Sequence, residues 1–423
     1  MYTYNSGSTR ILRLVVSRLI LCVPAVLMLL GGLADLVQAQ EAICPETFNI
    51  AVAEEEPLQE DDGFALLGCD YLIITHDEFY TDILPLAQSK EQKGFLTNVV
   101  KTSAIGSSPT AADIAAYIRN FFQNRRPQPL YVLLVGDAEF IPPHYRMQNI
   151  NGSMVTFATD LYYATMDTTD YFPDLYLGRL PVNSNKEAAG VVDKILNFRS
   201  DLNSETVLLV GADFYAKRDE KIIKSEGYTV DTVYSNLSSD PAAAKKVLSK
   251  INSGPLVVAH YGHGGVNCWH PFFCMYGGSP KLTNTRLPLM ISGGCDTAQF
   301  DFTKFNSIGE ELLLSPNGAI AYIGGTKGGG LGYEYAFSEG FFHELGQSAR
   351  IGQMMYAGLM AAYQAALSNG ENVGCGSWTH TFFEKMTLLG DPELILKTYQ
   401  LAEPPDAPYP FESVLTDQVD YRW

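Results

Sequence analysis

Two glycine-framed segments carry the residues best suited to covalent chemistry. Tyr261-Gly262-His263-Gly264-Gly265 follows an apolar run at 256–260, and Gly293-Gly294-Cys295-Asp296 follows another at 287–292. Read as buried strands, both runs deliver a reactive side chain at a carboxyl end, the edge where open α/β sheets hold ligands. An imidazole beside a thiol can take its proton and leave a strong nucleophile at neutral pH. The glycines permit unusual backbone angles and the close approach of a second chain. The amides of Gly264 and Cys295 could then donate to an oxyanion. A single cysteine is more often a small core hydrophobe. Two such segments on consecutive core strands point instead to catalysis.

The elements that must position these residues are legible from Cys69 onward. Short apolar runs at 71–75, 95–100 and 130–135 read as strands, and 78–90 and 111–122 have helical spacing. A second series places strands at 206–210, 256–260, 287–292 and 319–323, with helices at 242–251, 337–345 and 351–367. Strand and helix alternation predicts a mostly parallel sheet covered on both faces. The natural division is two adjacent α/β subdomains, 67–200 and 201–398, followed by a proline-bearing extended tail at 399–423.

The 423 residues are 46% hydrophobic and 18% charged, a globular balance. The net charge of −18 disfavours a polyanionic nucleic acid as partner. Residues 1–39 read as a signal peptide, with Arg10, Arg13 and Arg18 ahead of an apolar run and small residues at Val37-Gln38-Ala39. An uncleaved anchor is the other reading of that run. No second apolar stretch of that length follows, so no membrane span is expected once the signal is removed. Residues 40–66 are an acidic leader or linker. Export to a periplasm or beyond would permit disulfides. Cys44 with Cys69, and Cys268 with Cys274, are candidate pairs that would leave Cys295 and Cys375 over.

At the two glycine-framed segments the chain resembles the gingipain family of cysteine peptidases, which have a caspase-like fold. The matching text runs Ala259-His260-Tyr261-Gly262-His263-Gly264-Gly265 and Pro288-Leu289-Met290-Ile291-Ser292-Gly293-Gly294-Cys295-Asp296-Thr297-Ala298-Gln299-Phe300. Further similar blocks are 134–143, 172–181, 309–311, 318–324 and Gly390-Asp391-Pro392-Glu393-Leu394, so the resemblance spans about 70–398. It implies two adjacent three-layer α/β subdomains and a secreted endopeptidase acting on protein or peptide substrates. Cys295 would be the nucleophile and His263 the general base and acid, through a thioacyl-enzyme. The family also places an acid after the first strand of the catalytic subdomain, where this chain has Asp213. A carboxylate there would fix the imidazole tautomer.

The resemblance leaves the substrate pocket open. Gingipains that cut after Arg or Lys read the cation with an acid in the pocket, a role Asp219 or Glu220 could fill here. The segment 324–333 would supply a pocket wall through Thr326, Leu331 and Tyr333, but it lacks the tryptophan those relatives use. The leader is shorter than a gingipain pro-domain, which puts zymogen control in question. No cofactor is required by such a mechanism; structural calcium is what the family suggests, with no ligands assignable. Two alternatives stand beside this reading. One is a catalytically inactive secreted binding or surface protein on the same fold. The other is a zinc-dependent hydrolase using His260, His263, Cys268, His270 and Cys274, whose spacing fits no zinc ribbon. Trp269, Phe272 and Phe273 read equally as cleft or core, and Glu310 and Glu311 as first-turn helix acids.

Overall fold

A computed structural model describes residues 68–150, 152–167, 169–200, 204–234, 241–274, 282–328, 332–347 and 350–397. The signal at 1–39, the leader at 40–66 and the tail at 399–423 lie outside the described residues. The first series comprises β1 (Tyr71–Thr75), α1 (Tyr80–Gln92), β2 (Thr97–Lys101), α2 (Thr102–Ile105), α3 (Ala111–Asn124) and β3 (Tyr131–Val135). It continues through a hairpin, β4 (His144–Ile150) and β5 (Ser153–Thr159), then β6 (Tyr176–Leu180) and α4 (Asn185–Leu196). The second series opens with β7 (Thr206–Gly211), α5 (Asp213–Ser225), β8 (Thr229–Tyr234), α6 (Pro241–Asn252) and β9 (Val257–Tyr261). Three two-residue strands follow, β10 (Gly264–Gly265), β11 (Cys268–Trp269) and β12 (Phe273–Cys274), then β13 (Leu289–Ser292), α7 (Ile308–Leu314) and β14 (Ala321–Gly325). Helices α8 (Tyr333–Leu345), α9 (Ile351–Ser368) and α10 (Trp378–Lys385) lead into β15 (Met386–Leu389).

Ten of these strands form one sheet in the order β2-β1-β3-β6-β15-β14-β13-β9-β7-β8. Its ladders of more than one register pair are all parallel except β14 with β15. Asp391, just past β15, accepts from the Tyr71 hydroxyl at the start of β1, so β15 runs back between two sets of strands that point the same way. Every residue of β1, β3, β9 and β13 is buried, as strands covered on both faces must be. Alternate residues feed opposite layers. Tyr71 and Ile73 pack with Ile83 and Leu86 of α1, while Leu72 and Ile74 pack with Ile114 and Ile118 of α3. The α/β class and the mostly parallel sheet are therefore as expected. The two series meet edge to edge through the single register pair Leu389↔Arg179.

The helices start where capping chemistry allows. Thr110 and Asp113 form a reciprocal box at α3, the Asp113 carboxylate accepting from the Thr110 N–H at 2.8 Å. Ser307 and Glu310 do the same at α7, so Glu310 is indeed a first-turn acid. Strands β6, β8 and β15 go beyond the sequence reading. Buried Arg179 interrupts the apolar run of β6, and β15 continues directly from α10. Among the described residues, no helix is long and apolar enough to cross a membrane.

Candidate active site

Strand β9 ends at Tyr261 and β13 at Ser292, side by side in parallel register. The chains leaving them meet as backbone. A side chain at Gly264 would place its Cβ 2.4 Å from the Cys295 carbonyl oxygen and 2.6 Å from the Cys295 nitrogen, so no residue but glycine fits there. That contact seats the His263 loop against the Cys295 loop. Both His263 and Cys295 are exposed, and Cys295 is a free thiol. Asp296 adopts φ 61°, an uncommon angle for a residue other than glycine, and turns the chain sharply just after the thiol.

A buried scaffold stands beneath the two loops. His260 is 1% exposed, meets the Ser292 hydroxyl through Nδ1 at 2.9 Å, and stacks on Trp269 at 4.8 Å between centroids. Burial pushes its pKa down to about 3, so it is neutral. The Trp269 indole N–H donates to the Tyr322 hydroxyl at 2.9 Å, tying the β10–β11 hairpin to β14. The Gly294 N–H donates to the Ser292 hydroxyl at 3.1 Å. Trp269 and Phe272 are thus core residues; the Phe273 side chain lies outside the described set. The His270 N–H donates to the His263 carbonyl at 2.9 Å. Antiparallel pairs alternate, so Gly264, opposite Trp269, is a pair without ladder bonds and its N–H faces away from the hairpin.

The segment after β14 runs beside the sulfur. A Cβ on Gly328 would come within 3.0 Å of Cys295 Sγ, and the Gly328 N–H donates to Asp296 Oδ1 at 2.8 Å. Because β15 runs antiparallel to β14, its first residues stand at the same edge. The Thr326 N–H donates to the Lys385 carbonyl at 2.9 Å, and the Lys385 ammonium donates to the Gly328 carbonyl at 2.9 Å. A cavity beside Cys295 is lined by Gly293, Glu334, Phe382, Lys385 and Met386, with Gly325, Lys327 and Gly328 at its wall. Burial raises the Glu334 pKa, opposed by its own and the Gly332 backbone N–H groups and by Lys385.

Residues 65–397 match the model of peptidase family C25. The chain belongs to that family. Lys-gingipain of Porphyromonas gingivalis is 26% identical over 366 residues, covering 76% of this chain but only 20% of that protein. An uncharacterized protein of Archaeoglobus fulgidus is 28% identical over 256 residues, 51% of this chain and 61% of its own length. The chain thus spans about one fifth of the Lys-gingipain it matches. The crystal structure of the Arg-specific cysteine proteinase gingipain R superposes with a TM-score of 0.67 at 19% identity, over 81% of this chain and 80% of that one, a likeness of fold. A second solved structure, named as a protease, gives 0.65 at 25% identity over 77% and 78%.

Several sequence expectations move once this C25 chain is folded. Cys69 is a free, buried thiol pushed up to about 12, chiefly by burial, and so is not half of a Cys44–Cys69 pair. Cys375 is disulfide-bonded instead. Cys268 and Cys274 do pair with each other across β11 and β12. Although they lie near His270, the bond takes both thiolates a zinc ion would need. Asp219 is 1% exposed and accepts from the Tyr261 hydroxyl, while Glu220 pairs with Lys224 at 2.6 Å. Neither lines the cavity beside Cys295. Nor do Thr326 and Tyr333: Thr326 is buried and donates to the Ala158 carbonyl, and the Tyr333 hydroxyl donates to Glu371. Leu331 lies outside the described residues. Asp213 opens α5, its side chain likewise outside the described set, and the adjacent Ala212 N–H donates to the Tyr261 carbonyl at 3.0 Å. Glu334, Phe382, Lys385 and Met386 are the cavity residues that sequence reasoning missed. Each depends on a long-range strand or helix placement that no local pattern signals.

Proposed function

We propose that this chain is an exported cysteine endopeptidase that cuts protein or peptide substrates through a Cys295–His263 dyad. The observation that carries the reading is the backbone contact of Gly264 with Cys295, which puts an imidazole loop and an exposed free thiol at one sheet edge. His263 takes the Cys295 proton, and the sulfur attacks the scissile carbonyl carbon. The N–H groups of Gly264 and Cys295 receive the negative oxygen. His263 then gives its proton to the departing amine, leaving a thioacyl-enzyme. Water, deprotonated by His263, attacks that thioester, and the acid product leaves as Cys295 regains its proton. Asp213 would hold the imidazole tautomer, supported by the bond that ties its neighbour Ala212 to the strand ahead of His263. The side chain preceding the scissile bond would enter the cavity between Glu334, Phe382 and Lys385. Every step uses groups of this chain; calcium enters only as a structural ion. Export is supported by the basic, apolar start and by the Cys268–Cys274 disulfide, a bond that persists in oxidising compartments.

The test is cleavage of a positional-scanning peptide library by the full chain and by Cys295→Ala. Cleavage should fall by on the order of 10⁴-fold or more in the variant. The preferred residue before the cut then reports the pocket. Cleavage that survives Cys295→Ala overturns the mechanism. No cleavage by the parent chain, with calcium and reductant present, moves the reading to an inactive binding protein.

A further inference from the structure

Lys385 is 2% exposed, a cost that buried lysines normally offset with carboxylates. Lys90 does so with Asp391 and Glu393. Lys194, also buried, donates to three carbonyls, those of Leu313, Ser315 and Ala319. Lys385 does neither. Among the described residues, no carboxylate lies within 4.0 Å of its ammonium, which donates to the single carbonyl of Gly328 and sits 5.2 Å from the Phe157 ring centroid. Gly328 is also the residue beside the Cys295 sulfur, where an added Cβ would stand 3.0 Å from it. Burial pulls the Lys385 pKa down, and the Cys295 thiolate is the first charge that pushes it back up, ahead of Asp296 and Glu384, while Lys327 opposes them. Glu334 faces Lys385 from α8, and Asp296 is 3.9 Å from the Lys327 ammonium. Lys385 and Cys295 line the same cavity, so the ammonium and the sulfur face one space.

We propose that Lys385 is a positioning residue for the nucleophile: its ammonium fastens Gly328 next to the Cys295 sulfur and holds positive charge in the cavity that Lys385 and Cys295 share. A cation held in that cavity is placed to pair with the sulfur when it is anionic. The reading rests on Cys295 as the nucleophile of the peptidase.

The experiment is the pH profile of Cys295 alkylation by iodoacetamide in the full chain without substrate, with the labelled peptide identified by mass. Thermal unfolding is checked in parallel. Lys385→Gln and Lys385→Met should shift the profile upward by about one pH unit or more, slowing alkylation at pH 6 by about tenfold. Lys385→Arg should keep it near the parent. An unshifted profile in folded Gln or Met variants overturns the proposal, even if peptidase activity falls. Should neither variant fold, the Lys385 Cε resonance of the parent is titrated before and after alkylation. Its pKa should drop when the thiolate is capped, and no change overturns the proposal. A Lys385-dependent profile in a parent chain that cleaves nothing would sink the peptidase reading and leave only the Lys385–Cys295 coupling; an active parent with a Lys385-independent profile overturns this proposal and leaves the peptidase reading standing.

Discussion

The two halves of the sheet end in opposite ways at the same carboxyl edge. In the first half the edge is plugged. Arg179 of β6, fully buried, forks onto Asp160 with two bonds of 2.7 Å and donates to the carbonyls of Gly136 and Ile141 at 2.8 and 2.9 Å. His76, Phe79 and Phe140 pack their rings together just past β1, with centroids 4.8 to 5.9 Å apart. In the second half the same edge ends in glycines at 262, 264, 293, 294 and 328, and the exposed groups are an imidazole and a thiol. Parallel architecture therefore offers two candidate sites, and the side chains closing one of them decide which is left for chemistry. The plugged edge should govern stability and the open edge should govern reactivity.

The sharpest way to break that contrast is to unplug the first half. Arg179→Met leaves the Asp160 carboxylate buried and unpaired, and should lower unfolding stability by about 3–5 kcal/mol. The check is the urea midpoint, with Arg179→Met plus Asp160→Asn expected to recover part of the loss. Cys295 alkylation in the folded variant should stay at the parent rate. If it falls with stability, the two edges are not separable.

The converse change belongs to the open half. Gly264→Ala drives a methyl group into the Cys295 backbone and must part the two loops. A displacement of that order should lower kcat/KM by about 100-fold while the urea midpoint moves little. Equal activity in the alanine variant would mean that the Gly264 contact does not position the dyad.

The plug also carries a pH signature. Asp137, just past β3, accepts from Ala138 N–H and Asn183, yet burial raises its pKa to about 6; Glu310 of α7, itself buried, is raised further by the Asp137 charge. A carboxyl raised on folding keeps its proton where the unfolded chain has lost it, so stability falls as pH climbs from about 4 through about 6. Asp137→Asn should flatten that fall in urea midpoints taken across the range. A slope remains, because Asp174 and Asp219 are likewise raised to about 6 by burial.

The same contrast explains what could be read before folding. Strands buried on both faces announce themselves as unbroken apolar runs, as Tyr71–Thr75 and Tyr131–Val135 do. Where a strand supplies part of the plug, Arg179 in β6 breaks the run and hides it. At the open edge, His263 and Cys295 are legible because each follows its strand within a few residues and is framed by glycine. Lys385 and Glu334 reach the same place by another route. Lys385 depends on β15 running antiparallel between the halves, and Glu334 on the start of α8 folding back against Gly293. Neither is a property of neighbouring residues. Asp219 shows the opposite failure: a plausible acid in sequence is drawn into the core by the Tyr261 hydroxyl.

Glycine itself supplies the mildest test, since its role should differ between the halves. Gly264 is required by contact, but Gly190 lies inside α4 of the first half with no atom within 4 Å of where a Cβ would stand. Nothing there needs the missing side chain, and its φ is not in the left-handed region. The glycine only adds backbone freedom to the unfolded chain and weakens the helix. Gly190→Ala should therefore stabilise the protein by about 0.5–1 kcal/mol, read as a higher urea midpoint at unchanged slope. Alkylation and cleavage rates should match the parent. Loss of stability at Gly190 would show that this helix face meets something beyond the described residues, and the division between closed and open edges would then need a third surface.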